Sequence, residues 1–217
     1  MTKNLALATV PPATALPHTV TMHVNRGRLL AALRAVAPHA CEDETRFHLM
    51  SVALELGGGK LNLITTNGHC LAHATIACEA DFADHPIVLL STGDAKAAIK
   101  LLTGPKRTLD RKVQVGVTRK SITLQVDTTI ATYQTIDAEY PPYRQVIPAR
   151  ASGGCAPQWF SPEYLAMLGA SVDAFRSSNQ TGMRMQLASD ELAPIRVDYS
   201  HPSDGDFVGV MMPMRQG

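Results

Sequence analysis

One pattern recurs three times along this chain: a short strand, a helix, then three strands divided by tight turns. In the first copy Val20, Met22 and Val24 alternate with Thr21 and His23 as in a half-buried strand. Asn25 then caps a helix whose apolar stripe is Leu29, Leu30, Leu33 and Val36, with Pro38 just past its end. Strand-like runs follow over 47–56, 60–65 and 69–76, separated by Gly57, Gly58 and Gly59 and by Asn67-Gly68. The second copy reads as a strand over 86–90, a helix over 92–102 capped by Thr92, and strands over 112–117, 121–126 and 130–136. The third reads as a brief strand at Trp159-Phe160 and a helix entered through Ser161-Pro162, ending near Phe175. Strands over 183–188, 195–199 and 207–212 complete it.

Such a repeat constrains the fold strongly, because each unit alone exposes a strand edge and one apolar sheet face. Units must pair, helices on one side and antiparallel sheets on the other. The expected class is α+β. With an odd number of units, the third needs a partner from elsewhere. The expected organisation is a disordered arm over 1–18, a complete two-unit domain over 19–148 and a half domain over 149–217. Pro141, Pro142 and Pro148 and a small, glycine-bearing linker over 149–156 mark the second boundary.

Composition narrows the function classes. A formal net charge of +1 argues against a generic polycation, so any nucleic-acid contact must come from local segregation of Lys and Arg. Cys41, Cys70, Cys78 and Cys155 are scattered without Cys-x-x-Cys pairing or histidines at ligand spacing, which predicts free thiols in a reducing cytosol and no zinc site. No apolar run reaches the length of a membrane span. There is no phosphate loop, no helical His-Glu-x-x-His and no conspicuous carboxylate cluster with metal-site spacing. His69 and Cys70, as neighbours on one strand, point to opposite faces and make no dyad. The chain reads as non-enzymatic and without a cofactor.

Four segments carry a resemblance: Arg46-Phe-His-Leu49, Thr66-Asn-Gly-His-Cys-Leu-Ala72, Tyr140-Pro-Pro-Tyr-Arg-Gln-Val-Ile-Pro148 and Met212-Pro-Met-Arg215. They resemble, in order, the motifs of the bacterial DNA polymerase III β sliding clamp, whose central domain has a Thr-Asp-Gly-His-Arg-Leu-Ala run. They also resemble its Phe-Pro-x-Tyr junction and its Met-Pro-Met-Arg-Leu ending. The resemblance implies the DNA-clamp (processivity-factor) fold, with the central domain and the second half of the last domain. It also implies a pocket for short peptides of polymerases, clamp loaders and repair proteins. The matching positions are Leu49, Thr66, Gly68, His69, Leu71, Pro141, Val146, Tyr164, Val210, Met212, Pro213, Met214 and Arg215. Cys70 and Gln145 stand where the family favours Arg, and Gln216 replaces the terminal Leu, so altered peptide preference is implied.

The resemblance further implies non-sequence-specific contact with duplex DNA along the helices. Arg26, Arg28 and Arg34 on the first helix, Lys96 and Lys100 on the second, and Lys106 and Arg107 beyond it are the expected contacts. The family's twelve-unit ring, at three units per chain, would need four chains. The alternative is a non-encircling homologue that captures clamp-binding peptides as an adaptor or competitor of the host clamp.

Overall fold

A computed structural model describes residues 20–80, 84–149, 158–177, 179, 182–187 and 190–214. The arm over 1–18, the linker beyond Ala149, Cys155 and Arg215 lie outside the described residues. Strand β1 (Val20–Asn25) leads into helix α1 (Arg26–Val36), followed by β2 (Ser51–Gly57), β3 (Lys60–Thr66) and β4 (Cys70–Ala80). The second copy runs β5 (Asp84–Ser91), α2 (Thr92–Leu102), a one-turn α3 (Lys106–Leu109), β6 (Lys112–Val117), β7 (Ser121–Val126) and β8 (Thr129–Ile136). The third has α4 (Pro162–Phe175), β9 (Arg184–Gln186), β10 (Ile195–His201) and β11 (Gly205–Met211).

Two sequence expectations change. The first unit's second strand starts at Ser51, because 3-10 turns occupy Glu44–Leu49: the Asp43 carboxylate accepts from the Thr45 N–H and turns the backbone before any ladder can form. The cap of α2 is Ser91, whose hydroxyl accepts from the Asp94 N–H, so Thr92 is the first helical residue. The caps Asn25 on α1 and Ser161 on α4 are as read.

Among the described residues every strand pairing is antiparallel, in the order β1-β6-β7-β8-β5-β2-β3-β4-β11-β10-β9, and an added β1–β4 pairing closes the first eight strands into a circuit. β3 takes one edge of β4. The other edge is shared, β11 pairing with Cys70 to Thr75 and β1 with Cys78 to Ala80. The third unit therefore joins the circuit through β4 and by packing α4 on α1. Gly209 permits that approach: a Cβ there would lie 2.4 Å from Leu168 Cδ2 of α4.

The sheet separates two apolar clusters. The larger lies under the helices and includes Leu33, Leu63, Ala72, Leu168, Phe207 and Met211. The smaller lies on the opposite face around Leu49, Ile64, Leu71, Tyr140, Tyr143 and Val210. Alternation along a strand sends Leu71 and Val210 to one cluster and their neighbours Ala72 and Met211 to the other, which explains a last strand apolar on both faces.

Candidate functional site

The smaller cluster opens into a cavity of about 230 Å³ with an almost wholly apolar lining. Nine of the expected positions line it: Leu49, Thr66, Gly68, His69, Leu71, Pro141, Val146, Val210 and Met212. Tyr164 stands beside it, its ring stacked on His69 with centroids 6.3 Å apart and planes 14° apart. Pro213 and Met214 continue from the rim, where the Met214 N–H donates to the Trp159 carbonyl at 2.7 Å. Cys70, Pro142, Tyr143 and Gln145 also line the cavity and were not among the expected positions. The last three lie in the Tyr140–Pro148 segment that carries the resemblance, and the 3-10 turn Tyr143–Val146, which puts residues three apart on one side, sets Tyr143 beside Val146.

Each wall is held by its own local chemistry. Between β3 and β4 the Asn67 side chain accepts from the N–H groups of His69 and Cys70, and the Thr66 hydroxyl donates to the Cys70 carbonyl. Gly68 sits at φ +91°, a conformation that favours glycine, and brings His69 to the rim. The Met212 N–H donates to the His69 carbonyl at 2.9 Å and ties the tail to this turn. Across the cavity, Glu55 of β2 accepts from the Tyr143 hydroxyl at 2.6 Å and from Arg144 Nη1 at 2.8 Å, while the Arg144 guanidinium lies over the Tyr143 ring. Burial would raise the Glu55 pKa, but the hydrogen bonds from Arg144 and Tyr143 outweigh it and hold the carboxylate below its ordinary value. Burial, reinforced by Glu55, pushes the Tyr143 phenol up.

Cys70 has a histidine partner, and it is His39, as the opposite-face argument for His69 allows. The Ser171 hydroxyl donates its one proton to the Met167 carbonyl at 2.9 Å, so it accepts from His39 Nε2–H at 2.7 Å. His39 Nδ1 is then the acceptor for the Cys70 thiol at 3.3 Å. Burial pushes the Cys70 pKa up to about 12 and lowers that of His39 to about 4, so thiol and imidazole both rest neutral. This chain of polar groups fastens α4 to β4; it does not activate a nucleophile.

The expected DNA-contacting set divides. Arg26 is only 6% exposed: its Nε donates to the Leu102 carbonyl at 2.9 Å and its Nη1 meets Asp127 at 3.3 Å, so it caps the C-terminal end of α2. Arg28 caps α4 in the same way, donating to the Phe175 carbonyl at 2.7 Å and to the Asp204 carbonyl, with its guanidinium 4.7 Å from the Phe175 ring centroid. Both were expected on the solvated face; they are withdrawn from it because other helices end against the first turn of α1. Arg34, Lys96, Lys100, Lys106 and Arg107 remain exposed, Arg34 also reaching the Thr103 hydroxyl.

The family model described as the DNA polymerase III beta subunit, central domain, matches residues 23–142. The chain belongs to this family. Among its relatives are the beta sliding clamp of Haemophilus influenzae, 22% identical over 191 residues that cover 88% of this chain and 50% of that one. That of Vibrio cholerae is 26% identical over 155 residues, covering 69% and 41%. The chain thus spans about half the length of the curated relatives it matches. In structure it is similar to the sliding clamp of Pseudomonas aeruginosa solved with a ligand: TM-score 0.76 at 17% identity, over 98% of this chain and 70% of that one. The DNA polymerase III beta subunit of Thermotoga maritima gives 0.72 at 18% identity, over 97% and 69%. These likenesses establish the clamp fold. Among the described residues no helix is long and apolar enough to cross a membrane.

Proposed function

We propose that this chain is a non-enzymatic tether of sliding-clamp type, which holds short peptide segments of polymerases, clamp loaders or repair proteins in the cavity between Leu49, Leu71, Val146 and Met212. The observation that carries this reading is the convergence of four separate segments on one apolar cavity, with Val146 and Met212 left 51% and 41% exposed at its mouth. An extended peptide with an apolar anchor seated there gains roughly 1.5–3 kcal/mol per buried side chain, less the ordering of the peptide. Arg215, on the tail beyond Met214, belongs to the proposed site by sequence position.

The test is titration of a fluorescent clamp-binding peptide. Because both side chains are exposed, Met212→Ala and Val146→Asp should leave folding intact and weaken binding on the order of tenfold or more each. Unchanged affinity in both folded variants overturns the peptide site.

Arg34, Lys96, Lys100, Lys106 and Arg107 are the proposed contacts to duplex DNA, and a ring of four chains is the proposed encircling form. The second reading, an adaptor or competitor that captures peptides without encircling DNA, is favoured by the internal use of Arg26 and Arg28 and by the Arg176–Asp173 ion pair at the end of α4. Salt-resistant retention on circular but not linear duplex separates the two.

A further inference from the structure

The seam between the first two units follows a strict register. Counting back from the residue that caps each helix, Asn25 lies opposite Lys112, the first residue of β6, Val24 opposite Val113, and His23 opposite Gln114. The second unit repeats this against the first: Ser91 lies opposite Ser51, the first residue of β2, Leu90 opposite Val52, and Leu89 opposite Ala53. Each opening strand also touches the end of its own unit's last strand, His23 facing Glu79 and Leu89 facing Ile136.

The third unit repeats half of this arrangement. Its cap is Ser161, and Trp159, two residues earlier, bridges Met214 near the end of its own last strand. The other half is open. β9, the counterpart of β2 and β6, ends the sheet, and among the described residues no strand pairs with its outer edge. β11 and β10 lie between Trp159 and β9, so the chain's own opening segment cannot reach it. Exposure follows the same logic. Val113 and Val52 are 3% and 0% exposed within the seam, whereas the corresponding Met185 is 39% exposed and Trp159 60%.

We infer that this edge is an interface for a second copy of the chain, whose third unit pairs with it in the register of the internal seam. Ser161 then lies opposite Arg184, Phe160 opposite Met185 and Trp159 opposite Gln186, each contact made twice about a two-fold axis. A reciprocal contact of this kind closes on itself and covers both open edges. The apolar pair Phe160–Met185 takes the place that Val24–Val113 and Leu90–Val52 hold inside one chain. The inference rests on the fold and is independent of the peptide site.

Light scattering on the full chain at micromolar concentration should give the mass of two chains or of a multiple of that pair. Met185→Asp, which puts an unpaired charge into the seam, should weaken that association on the order of tenfold or more. The double variant Phe160→Cys/Met185→Cys should form an interchain disulfide under mild oxidation, since residues directly opposite in a ladder lie within reach. Phe160→Cys/Met183→Cys, two residues out of register, and each single variant should not. A monomer at these concentrations overturns the inference, as does an oligomer that cross-links no better in register than out of it.

Discussion

Arg28→Ala should lower the unfolding free energy by about 3 kcal/mol, the order expected when one partner of a buried ion pair is removed. The guanidinium is 14% exposed and faces Asp204, whose side chain is wholly buried. It also satisfies the Phe175 carbonyl at the end of α4, which would otherwise be an orphan of the helix terminus. Asp204 retains Ser177, Tyr199 and Ser203 as donors, so the carboxylate keeps partners but loses its countercharge. Arg28→Lys should recover only part of the loss, because a single ammonium cannot span the Phe175 and Asp204 carbonyls. Urea unfolding measures the total. Hydrogen exchange should localise it, with protection falling in α4, β10 and β11 before the closed circuit of β1 to β8. If Arg28 instead contacted DNA, the variant would bind duplex more weakly at unchanged stability, and that result would refute its role as the cap of α4.

The same residue shows where sequence reading stops. The periodicity of Leu29, Leu30, Leu33 and Val36 places α1 and its buried stripe correctly. It also leaves Arg26 and Arg28 looking like a solvated basic face, since nothing local records that α2 and α4 end against this turn. That information is tertiary. The three-fold unit was legible because strand alternation, helix caps and glycine turns are local devices that agree with one another. Residues 47–49 were misread as strand because alternating apolar residues fit one until the Asp43 carboxylate claims the Thr45 N–H and turns the chain. Nine of the cavity positions were legible from the resemblance, and the Glu55 clamp on Tyr143 and Arg144 was not: 88 residues separate Glu55 from Tyr143. Register across the seam likewise needed the structure, and only with it does the open edge of β9 become recognisable.

Acid should unfold this chain earlier than its carboxylates alone require. Burial lowers His39 to about 4, and burial together with Arg144 and Arg196 lowers His73 to about 4, opposed by Glu55 and Asp206. Both histidines have ordinary values near 6.5. Between pH 6.5 and pH 4 the unfolded chain therefore binds protons that the folded chain refuses, so stability is complete above this window and falls as pH drops through it. Each histidine removes on the order of 2–3 kcal/mol across the window, a large share of the roughly 5–15 kcal/mol that holds a domain together. Glu55 and Asp204 enter later: hydrogen bonds hold both below their ordinary values of 4.5 and 3.8, so their contributions begin to fade only at the acid end of this window and are lost mainly below it. Circular dichroism against pH should place the midpoint inside the histidine window. His73 Nε2 is within hydrogen-bond distance of Asn62 Oδ1, at 3.1 Å, and a glutamine amide can donate to the same atom. His73→Gln should therefore move the midpoint to lower pH, whatever its effect at neutral pH. A midpoint that stays in place would mean that His73 keeps its proton in the fold, and that burial does not govern this side of the sheet.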